Sequence, residues 1–423
     1  MAREMKESGV SWIGKVPSSW KVVPIKVAFS EIKTKNTDGA ITNALKFKFG
    51  EIVSKANFDS ETDDYVADTI LNYTIVEPRT IMINGLNLNY DFKTLRTGLV
   101  KEKGVITSAY LALKPDENMV CAEYATYLFK GYETKMAFHN MGSGIRLTLG
   151  FKEFKNQPLL LPMLQEQKAI ADFLDKQCAE IDAVIAKTKA TIDEYKKLKQ
   201  SVITEAITKG IRSNRAMKNS GNLWYGEIPS DWDIRKLKYM FRIKKDIAGK
   251  EGYTVLSITQ RGIMPKNIAS NEGQIAENYS NYQLVEPGDF AMNHMDLLTG
   301  WVDISKYHGV TSPDYRVFVL LDKENNHSQY YLYLMQMCYT NRIFYGLGQG
   351  VSGMGRWRLQ ADKFLNFTIP VPSYEEQKEI AEYLDKKCAE IYTLIAKKTA
   401  LLEEMESYKK SVIYENVTGK KEV

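Results

Sequence analysis

The 423-residue chain contains the same unit twice, and this internal repeat restricts its fold more than any other feature. Residues 165–187, QEQKAIADFLDKQCAEIDAVIAK, return at 375–397 as EEQKEIAEYLDKKCAEIYTLIAK, identical at about 15 of 23 positions. The segment WIGKVPSSW, residues 12–20, returns as WYGEIPSDW at 224–232. Because both segments recur in the same order, the duplicated unit includes the globular part between them.

The sequence between the repeated segments differs between the two copies. Only short matches remain, such as Val76-Glu77-Pro78 against Val285-Glu286-Pro287 and Gly104-Val105 against Gly309-Val310. This pattern is expected when two copies keep one fold but present different side chains to different targets. Each half is therefore predicted to have a specificity of its own.

Each globular part is predicted to mix strands and helix. Strand-like runs at 80–83, 110–113 and 317–320 are bounded by Gly, Pro, Asn or Asp. The stretches 123–138 and 328–345 are rich in Tyr, Leu and Met, and each is predicted to form one helix. These patterns indicate α+β domains.

A long amphipathic helix is predicted after each globular part. In each copy the apolar residues recur about every 3.5 positions and form one seam: Ile170, Leu174, Ile181, Val184, Ile185, Ile192, Tyr195, Leu198 and Val202, and Ile380, Leu384, Ile391, Leu394, Ile395, Leu402, Met405, Tyr408 and Val412. A helix of ~40 residues is ~60 Å long and needs a partner for its apolar face. The simplest partner is the other helix, packed antiparallel.

Local signals set the limits of the long helices. Prolines punctuate the segments 158–162 and 367–372 that precede them. Ser373 and Glu376 have the spacing of a capping box, in which serine oxygen and glutamate both bind free N–H groups at the helix start. Gly210 and Gly419 follow the last apolar positions, where a left-handed cap favours glycine. The predicted segments are a first domain at 1–157, a helix at 158–212, a second domain at 213–366 and a helix at 367–423.

Composition excludes several classes of protein. The net charge of +5 is compatible with nucleic-acid binding but does not establish it. Cys121, Cys178, Cys338 and Cys388 have no zinc-ligand or disulfide spacing, so we expect buried, reduced thiols and no metal site. The sequence shows neither a secretory signal nor an apolar run of the ~18 residues that a membrane span needs. We therefore expect a cytoplasmic protein that does not enter a membrane.

The joint pattern resembles a known family. The motif W-x-G-x-[VI]-P-x-x-W, a variable domain and the motif P-x-x-[QE]-E-Q-K-x-I-A at the start of a long helix, all in tandem, resemble the specificity subunit of Type I restriction-modification systems. The resemblance covers nearly the whole chain. It implies two mixed α/β target recognition domains separated by a long antiparallel two-helix coiled coil, with a pseudo-twofold internal repeat.

The resemblance also implies a function and partners. Each domain would read one half of an asymmetric bipartite site in double-stranded DNA, and the helices would set the spacer and dock two methyltransferase subunits. The subunit would have no catalytic residues and no cofactor of its own. S-adenosylmethionine, ATP and Mg would belong to partner chains that methylate adenine N6 and restrict DNA; the resemblance leaves open whether restriction subunits join.

Candidate DNA contacts come from residue type and loop context. Arg and Lys read guanine, Asn and Gln read adenine, and Lys and Arg also bind phosphate. The candidates in the first domain are Lys46, Lys48, Asn84, Asn87, Lys93, Arg96 and Arg146. Those in the second domain are Gln260, Arg261, Asn293, His294, Arg356 and Arg358. An ordinary solvated loop side chain is the alternative for each.

Two other functions remain open at this point. A coiled-coil scaffold whose end domains bind proteins would show the same long helices. An enzyme with an unrecognised active site would lack familiar motifs, and the chain has no GxxxxGK[ST] phosphate loop, no HExxH and no methyltransferase motif. Trp12, Trp20, Trp224 and Trp232 are expected to seal the start of each domain against its core.

Overall fold

The computed structural model describes residues 3–48, 50–55, 70–88, 95–142, 147–267, 278–350 and 357–423. The chain divides into two compact units. The first comprises Met1–Lys189 with Ala400–Val423, and the second comprises Ala190–Thr399. Both boundaries fall inside a long helix, so each unit contains one globular domain and a part of both long helices.

The first domain is built on antiparallel strands. A four-stranded sheet has the order β4-β11-β8-β9, and the pairs β1–β2, β3–β12, β5–β6 and β7–β10 surround it. The strands are β1 Met5–Glu7, β2 Lys15–Pro17, β3 Lys21–Pro24, β4 Phe29–Glu31, β5 Leu45–Lys48, β6 Glu51–Ser54, β7 Thr74–Val76, β8 Ile81–Ile83, β9 Thr97–Leu99, β10 Gly104–Ile106, β11 Leu111–Pro115 and β12 Pro158–Leu161. The helices are α1 Ala122–Thr134, α2 Phe151–Phe154 and α3 Leu164–Lys209, with 3-10 turns at Ile25–Val27 and Ala137–Asn140.

The second domain repeats this topology. Its four-stranded sheet has the order β16-β23-β20-β21, with the pairs β13–β14, β15–β24, β17–β18 and β19–β22. The strands are β13 Met217–Asn219, β14 Glu227–Pro229, β15 Asp233–Lys236, β16 Phe241–Lys244, β17 Leu256–Thr259, β18 Gly262–Pro265, β19 Gln283–Val285, β20 Phe290–Met292, β21 Val302–Ile304, β22 Gly309–Thr311, β23 Arg316–Leu320 and β24 Thr368–Val371. The helices are α4 Ser328–Thr340, α5 Ile343–Gly346, α6 Ala361–Asn366 and α7 Tyr374–Val417, with a 3-10 turn at Leu237–Tyr239.

The predicted α+β fold with an internal repeat is therefore confirmed, but the domain helices end earlier than predicted. The stretch 123–138 forms α1 and then a 3-10 turn, and 328–345 forms α4 and then α5. Met136 and Arg342 lie between these elements with φ of 51° and 57°. A left-handed residue cannot continue an α-helix, so the single predicted helix is broken at this point.

The strand before each long helix belongs to the globular domain. β12 pairs antiparallel with β3, and β24 pairs antiparallel with β15. Pro162 and Pro372 follow these strands directly, where a missing N–H removes a donor that the strand would otherwise continue to use. The polypeptide therefore leaves the sheet at a proline in both copies and enters the long helix.

The long helices run antiparallel within each unit. In the first unit Lys409 forms an ion pair with Asp182 at 2.6 Å, and Lys189 with Glu406 at 3.6 Å. In the second unit Nζ of Lys199 donates a hydrogen bond to the hydroxyl of Tyr392, and Arg212 forms an ion pair with Glu379 at 2.7 Å. As residue numbers rise from Asp182 to Arg212, the residue numbers of their partners fall from Lys409 to Glu379. The two helices therefore run antiparallel.

The apolar seam is narrower than the sequence pattern predicted. Ile170, Leu174, Ile181 and Ile192 on α3, like Ile380, Leu384, Ile391 and Val412 on α7, are buried. The predicted seam residues Val184, Leu198, Leu394 and Tyr408 are exposed instead. A two-helix pair covers only one strip of each helix, so part of a wider apolar face stays in solvent.

The two repeated segments contact each other. Nε1 of Trp20 donates to Oε1 of Glu166 at 3.0 Å, and Nε1 of Trp232 donates to Oε2 of Glu376 at 3.0 Å. Arg215 also pairs with Glu376. The entry motif of each domain is thus bound to the start of the long helix that follows the same domain.

This contact corrects half of the predicted capping box. Oγ of Ser373 does accept a hydrogen bond from the Glu376 N–H, at 3.4 Å. The carboxylate of Glu376, however, binds Trp232 and Arg215 rather than returning to the backbone of Ser373. A charged donor and an indole N–H are stronger partners than a terminal amide that solvent can satisfy.

The glutamine of each EQK motif joins the long helix to the domain helix. Oε1 of Gln167 accepts from the N–H of Cys121, which precedes α1, and Oε1 of Gln377 accepts from the N–H of His327, which precedes α4. Nε2 of Gln377 donates to the carbonyl of Pro372. A buried amide thus satisfies a free backbone group at a helix start.

The core of each unit contains residues from both long helices. Ile170 and Leu174 of α3 join Val412 and Val417 of α7 in the first core, and Ile207 of α3 joins the second. All four cysteines are buried and free, as predicted. Among the described residues, no helix combines the length and the apolar character needed to cross a membrane.

Candidate nucleic-acid interface

In the first domain, the predicted contact loop after β8 lies beside the segment that leads into α2. The loop after β8 contains Asn84 and Asn87, and the N–H of Leu149 donates to the carbonyl of Gly85 in it at 2.9 Å. A Cβ at Gly85 would lie 2.3 Å from the Leu149 carbonyl oxygen, so only glycine allows this approach. Leu149 belongs to the segment that leads into α2.

The second domain repeats this relationship with other residues. The N–H of Leu359 donates to the carbonyl of His294, in the loop after β20, at 3.0 Å. Arg358 and Gln349 exchange two backbone hydrogen bonds at 2.9 and 3.0 Å. The loops that carry Asn293 and Arg358 are therefore adjacent in the second domain as well.

A β-hairpin reaches the same cluster in both domains. A Cβ at Gly50, in the β5–β6 turn, would lie 2.8 Å from Cβ of Leu95. Nε2 of Gln260, in the β17–β18 turn, donates to the carbonyl of Thr299 at 3.3 Å. We call the hairpin turn, the loop after β8 or β20, and the segment before α2 or α6 the loop cluster of each domain.

Several predicted contact residues lie at this cluster with side chains open to solvent. Asn87 is exposed with φ of 53°, and Gln260, Arg261 and Arg358 are exposed. Asn84 is partly buried and accepts a hydrogen bond from the Leu86 N–H through Oδ1 at 3.2 Å. Their role in DNA binding stays a prediction.

Other predicted residues are less open or are not described. Lys46 and Lys48 lie on β5, partly buried, opposite Val53 and Glu51. Oδ1 of Asn293 accepts from the N–H groups of the two residues Met295 and Asp296. The predictions for Lys93, Arg146 and Arg356 fall outside the described residues.

Arg96 corrects the prediction of a direct contact. Its side chain is 1% exposed, and Nη1 donates to the carbonyls of Asn84 at 2.9 Å and Leu86 at 2.8 Å. Its own N–H donates to Oε2 of Glu133 at 3.0 Å. The buried guanidinium therefore holds the loop after β8 through its backbone carbonyls and does not face solvent.

His294 is held neutral. Burial and the nearby charges of Arg316 and Arg358 lower the pKa of His294 from 6.5 to about 3. An imidazole in this environment presents one N–H donor and one nitrogen acceptor at neutral pH. His294 can thus serve as a hydrogen-bonding group but not as a cation.

Sequence reasoning missed the residues that support the loops. Arg316 is 5% exposed at the start of β23, and the Tyr339 hydroxyl donates to the carbonyl of Asn293 at 2.6 Å. Glu133 has the same place in α1 that Tyr339 has in α4, one residue before the end. The one available signal was an arginine that opens an otherwise apolar strand.

Glu133 is a buried acid at the base of the first loop cluster. Desolvation raises its pKa from 4.5 to about 7, although hydrogen bonds from Thr97 and Arg96 and the charge of Lys130 oppose the shift. Burial therefore favours the protonated, neutral form of this carboxyl. Because Glu133 accepts a hydrogen bond from the Arg96 N–H, Glu133 also helps to hold the loop after β8.

Hydrogen-bonding side chains are gathered on adjoining loops in both domains. The clusters of both domains carry amide side chains on loops that are bonded to one another, and the second cluster adds the guanidinium of Arg358 and the imidazole of His294. In the part of the chain that the structure describes, no three His, Cys, Asp or Glu side chains are placed to hold a metal ion. Donors and acceptors fixed on adjoining loops are what recognition of base edges requires.

Comparison with known proteins identifies the family of the chain. The family described as type I restriction modification DNA specificity domain matches residues 96–194 and 229–404. The MjaVIII specificity subunit of a type I restriction enzyme of Methanocaldococcus jannaschii is 26% identical over 420 residues, covering 96% of this chain and 94% of that protein. A chain in a solved structure concerned with complex assembly and conformational transition of the type I R-M system has the same fold, with a TM-score of 0.67, 11% identity and coverage of 96% and 99%.

Proposed function

Because this chain belongs to the type I restriction-modification DNA specificity family, we propose that each globular domain reads one half of an asymmetric bipartite DNA site. One observation carries the proposal: the same loop cluster occurs in both domains with different side chains. Gly85 and Thr148 in the first cluster correspond to His294 and Arg358 in the second, whereas Asn84 and Asn293 are the same residue type. Two equal folds with unequal loops suit two different half-sites.

The chemistry of the loops suits double-stranded DNA. Amide side chains such as Asn87 and Gln260 present the paired donor and acceptor that adenine requires, and Arg261 and Arg358 present donors for guanine or phosphate. Neither long helix contains an arginine, and acidic residues equal or outnumber lysines in both. The net positive charge of the chain therefore comes from outside these helices, as expected if the globular domains contact DNA.

The helix pair would then dock partner subunits. Val184 and Tyr408 flank the Asp182–Lys409 ion pair in the first unit, and both side chains are exposed. Leu198 and Leu394 flank the Lys199–Tyr392 hydrogen bond in the second unit and are exposed too. The four side chains are between 41% and 48% exposed, and each unit thus carries at least two apolar side chains of its helix pair in solvent.

These exposed side chains occupy equivalent positions of the repeat. Val184 in the first copy corresponds to Leu394 in the second, and Leu198 corresponds to Tyr408. An apolar patch that recurs through a repeat suits two copies of one partner, because each copy meets a similar surface. We assign the two patches to two methyltransferase subunits, and the helices themselves to setting the distance between the half-sites.

Catalysis is assigned to the partner chains. In this proposal they bind S-adenosylmethionine, ATP and Mg and methylate adenine at N6, and this chain supplies only the choice of sequence. Restriction subunits would join the same complex where the system cleaves DNA. A scaffold that binds only proteins is the competing function, and it requires no sequence preference in the DNA bound by the complex.

Exchange of one domain tests the proposal. Residues 21–161 are replaced by the corresponding segment of a relative, so that the Trp20–Glu166 contact is kept, and the complex with methyltransferase partners is used to methylate a plasmid library. We expect one half-site to change while the other stays as it was. A matched exchange of residues 233–371 should change the other half-site. If both half-sites stay unchanged in both exchanges, the modular function is wrong.

A further inference from the structure

Three basic side chains meet at the loop cluster of the second domain. Leu359 joins them: its N–H donates to the carbonyl of His294 at 3.0 Å, and its carbonyl accepts from Nη2 of Arg316 at 2.8 Å. Arg358 directly precedes Leu359 and is exposed. The two bonds of Leu359 thus tie Arg316 and the segment that carries Arg358 to the loop of His294.

Arg316 is a buried cation with no carboxylate partner among the described residues. Besides the Leu359 carbonyl, its guanidinium contacts the ring of Phe364, with 5.0 Å from Cζ to the ring centroid. In the first domain the buried Arg96 lies beside Glu133, but Tyr339 takes the place of that acid in the second domain. A buried charge without a counterion destabilises the fold, so its presence below the loop indicates a purpose other than stability.

The backbone of Arg358 is held on three sides. Its N–H and carbonyl both bond Gln349, and Leu359 next to it is buried. Nε1 of Trp357 on the other side donates to the carbonyl of Tyr345 at 2.8 Å. The side chain of Arg358 therefore extends into solvent from a fixed Cα. Fixed placement matters for reading a base edge and much less for neutralising a phosphate.

We infer that Arg358 reads a guanine in the half-site of the second domain, with Arg316 and His294 as positioning residues. The inference rests on the proposed function and names the base that one domain recognises. A guanidinium on a fixed Cα matches the O6 and N7 acceptors of guanine with two parallel hydrogen bonds. Thr148 precedes Leu149 at the matching place in the first domain, and it is exposed too, so the two domains present different side chains at this position.

Selection of DNA from a randomised library tests the inference. The full chain is used in complex with its methyltransferase partners at one fixed salt concentration, and the half-site of the second domain is identified by the exchange of residues 233–371. We expect one invariant G·C pair in this half-site. Arg358→Ala should relax selection at this base pair alone and weaken binding of the original site about ten- to a hundredfold.

A matched variant controls for loss of charge. Lys323 is exposed beyond the end of β23, whereas Arg316 begins this strand. Lys323→Ala should leave the selected sequence unchanged. Arg316→Lys should relax the same G·C pair as Arg358→Ala, and the double variant should relax it no further, because both changes act through one side chain. If Arg316 had only a structural role, Arg316→Lys would not relax selection at this base pair alone.

Three results would overturn the inference. If Arg358→Ala weakens all sequences by one factor and lowers the salt slope by about one, Arg358 binds a phosphate. If selection is the same in Arg358→Ala and in the original chain, Arg358 does not contact the site; in both cases a selected bipartite site still supports the proposed function. If the original complex selects no sequence at all, the proposed function fails together with this inference.

Discussion

The indole N–H of Trp232 donates a hydrogen bond of 3.0 Å to Oε2 of Glu376, and this bond joins two sequence motifs that lie far apart in the chain. Trp20 and Glu166 form the same bond in the first unit. The tryptophan closes the entry motif and the glutamate opens the long helix. The two strongest repeats of the sequence are therefore explained by one contact, which fixes each long helix to its domain.

Removal of this bond should destabilise the second unit. Trp232→Phe leaves the buried carboxylate of Glu376 without one of its donors and removes part of a packed ring. We expect the free energy of unfolding to fall by roughly 2–4 kcal/mol in denaturant titrations. Trp224→Phe is the matched control, because Trp224 belongs to the same motif but is 46% exposed. Equal effects of the two changes would contradict the assigned role of the bond.

The supporting and the presented residues of the first loop cluster should respond differently. Arg96→Ala leaves the carbonyls of Asn84 and Leu86 without a donor and should cost roughly 2–4 kcal/mol of unfolding free energy. Asn87→Gly removes an exposed amide and keeps the positive φ, so the unfolding free energy should stay within about 0.5 kcal/mol. Of the two changes, only Asn87→Gly should alter the selected DNA sequence while the fold stays intact. Strong destabilisation by Asn87→Gly would show that this side chain is structural.

Two buried groups should give opposite pH dependences of stability. The folded-state pKa of His294 is about 3, below its ordinary 6.5, so protonation of the unfolded state lowers stability as pH falls through this window. The folded-state pKa of Glu133 is about 7, above its ordinary 4.5, so stability falls as pH rises through that window. Each effect has a slope of at most about 1.4 kcal/mol per pH unit.

Glutamine variants separate the two effects. The difference in unfolding free energy between pH 7 and pH 5 should become smaller in His294→Gln, because the term that favours pH 7 is removed. It should become larger in Glu133→Gln for the opposite reason. Denaturant titrations at both pH values measure the differences. Changes of the same sign in both variants would contradict the burial argument.

The exposed apolar patches should control how many partners bind. Leu198→Lys with Leu394→Lys places two charges in the patch of the second unit and should reduce the number of bound methyltransferase subunits from two to one. Light scattering of the reconstituted complex measures this number. Leu223→Lys is the control, because Leu223 is fully exposed and lies outside the helix pair. Two bound subunits in the double variant would exclude this patch as the docking surface.

The long helices were predictable because their signal is local. Apolar residues at a spacing near 3.5 mark a helix of either copy, and Gly210 and Gly419 mark the ends, with φ of 72° and 68°. The width of the seam was not predictable in this way. Val184 and Leu198 obey the spacing, but whether a partner covers them depends on the geometry of the helix pair.

The residues that support the loops could not be predicted from the sequence pattern. Arg96 lies in a polar loop segment, where a solvated guanidinium is the usual case, and its burial depends on carbonyls that the fold brings above it. The helix breaks at Met136 and Arg342 were not predicted for a similar reason, since neither residue type favours the left-handed region. Tertiary contacts decide these positions.

The central claim is that this chain selects the sequence that its complex methylates. Its most direct test is sequencing of adenine methylation across the genome of the host, with the gene intact and with the gene deleted. The account predicts that deletion removes one bipartite motif, made of two different half-sites at a fixed spacing, and that reintroduction restores it. An unchanged set of methylated motifs after deletion would contradict the account.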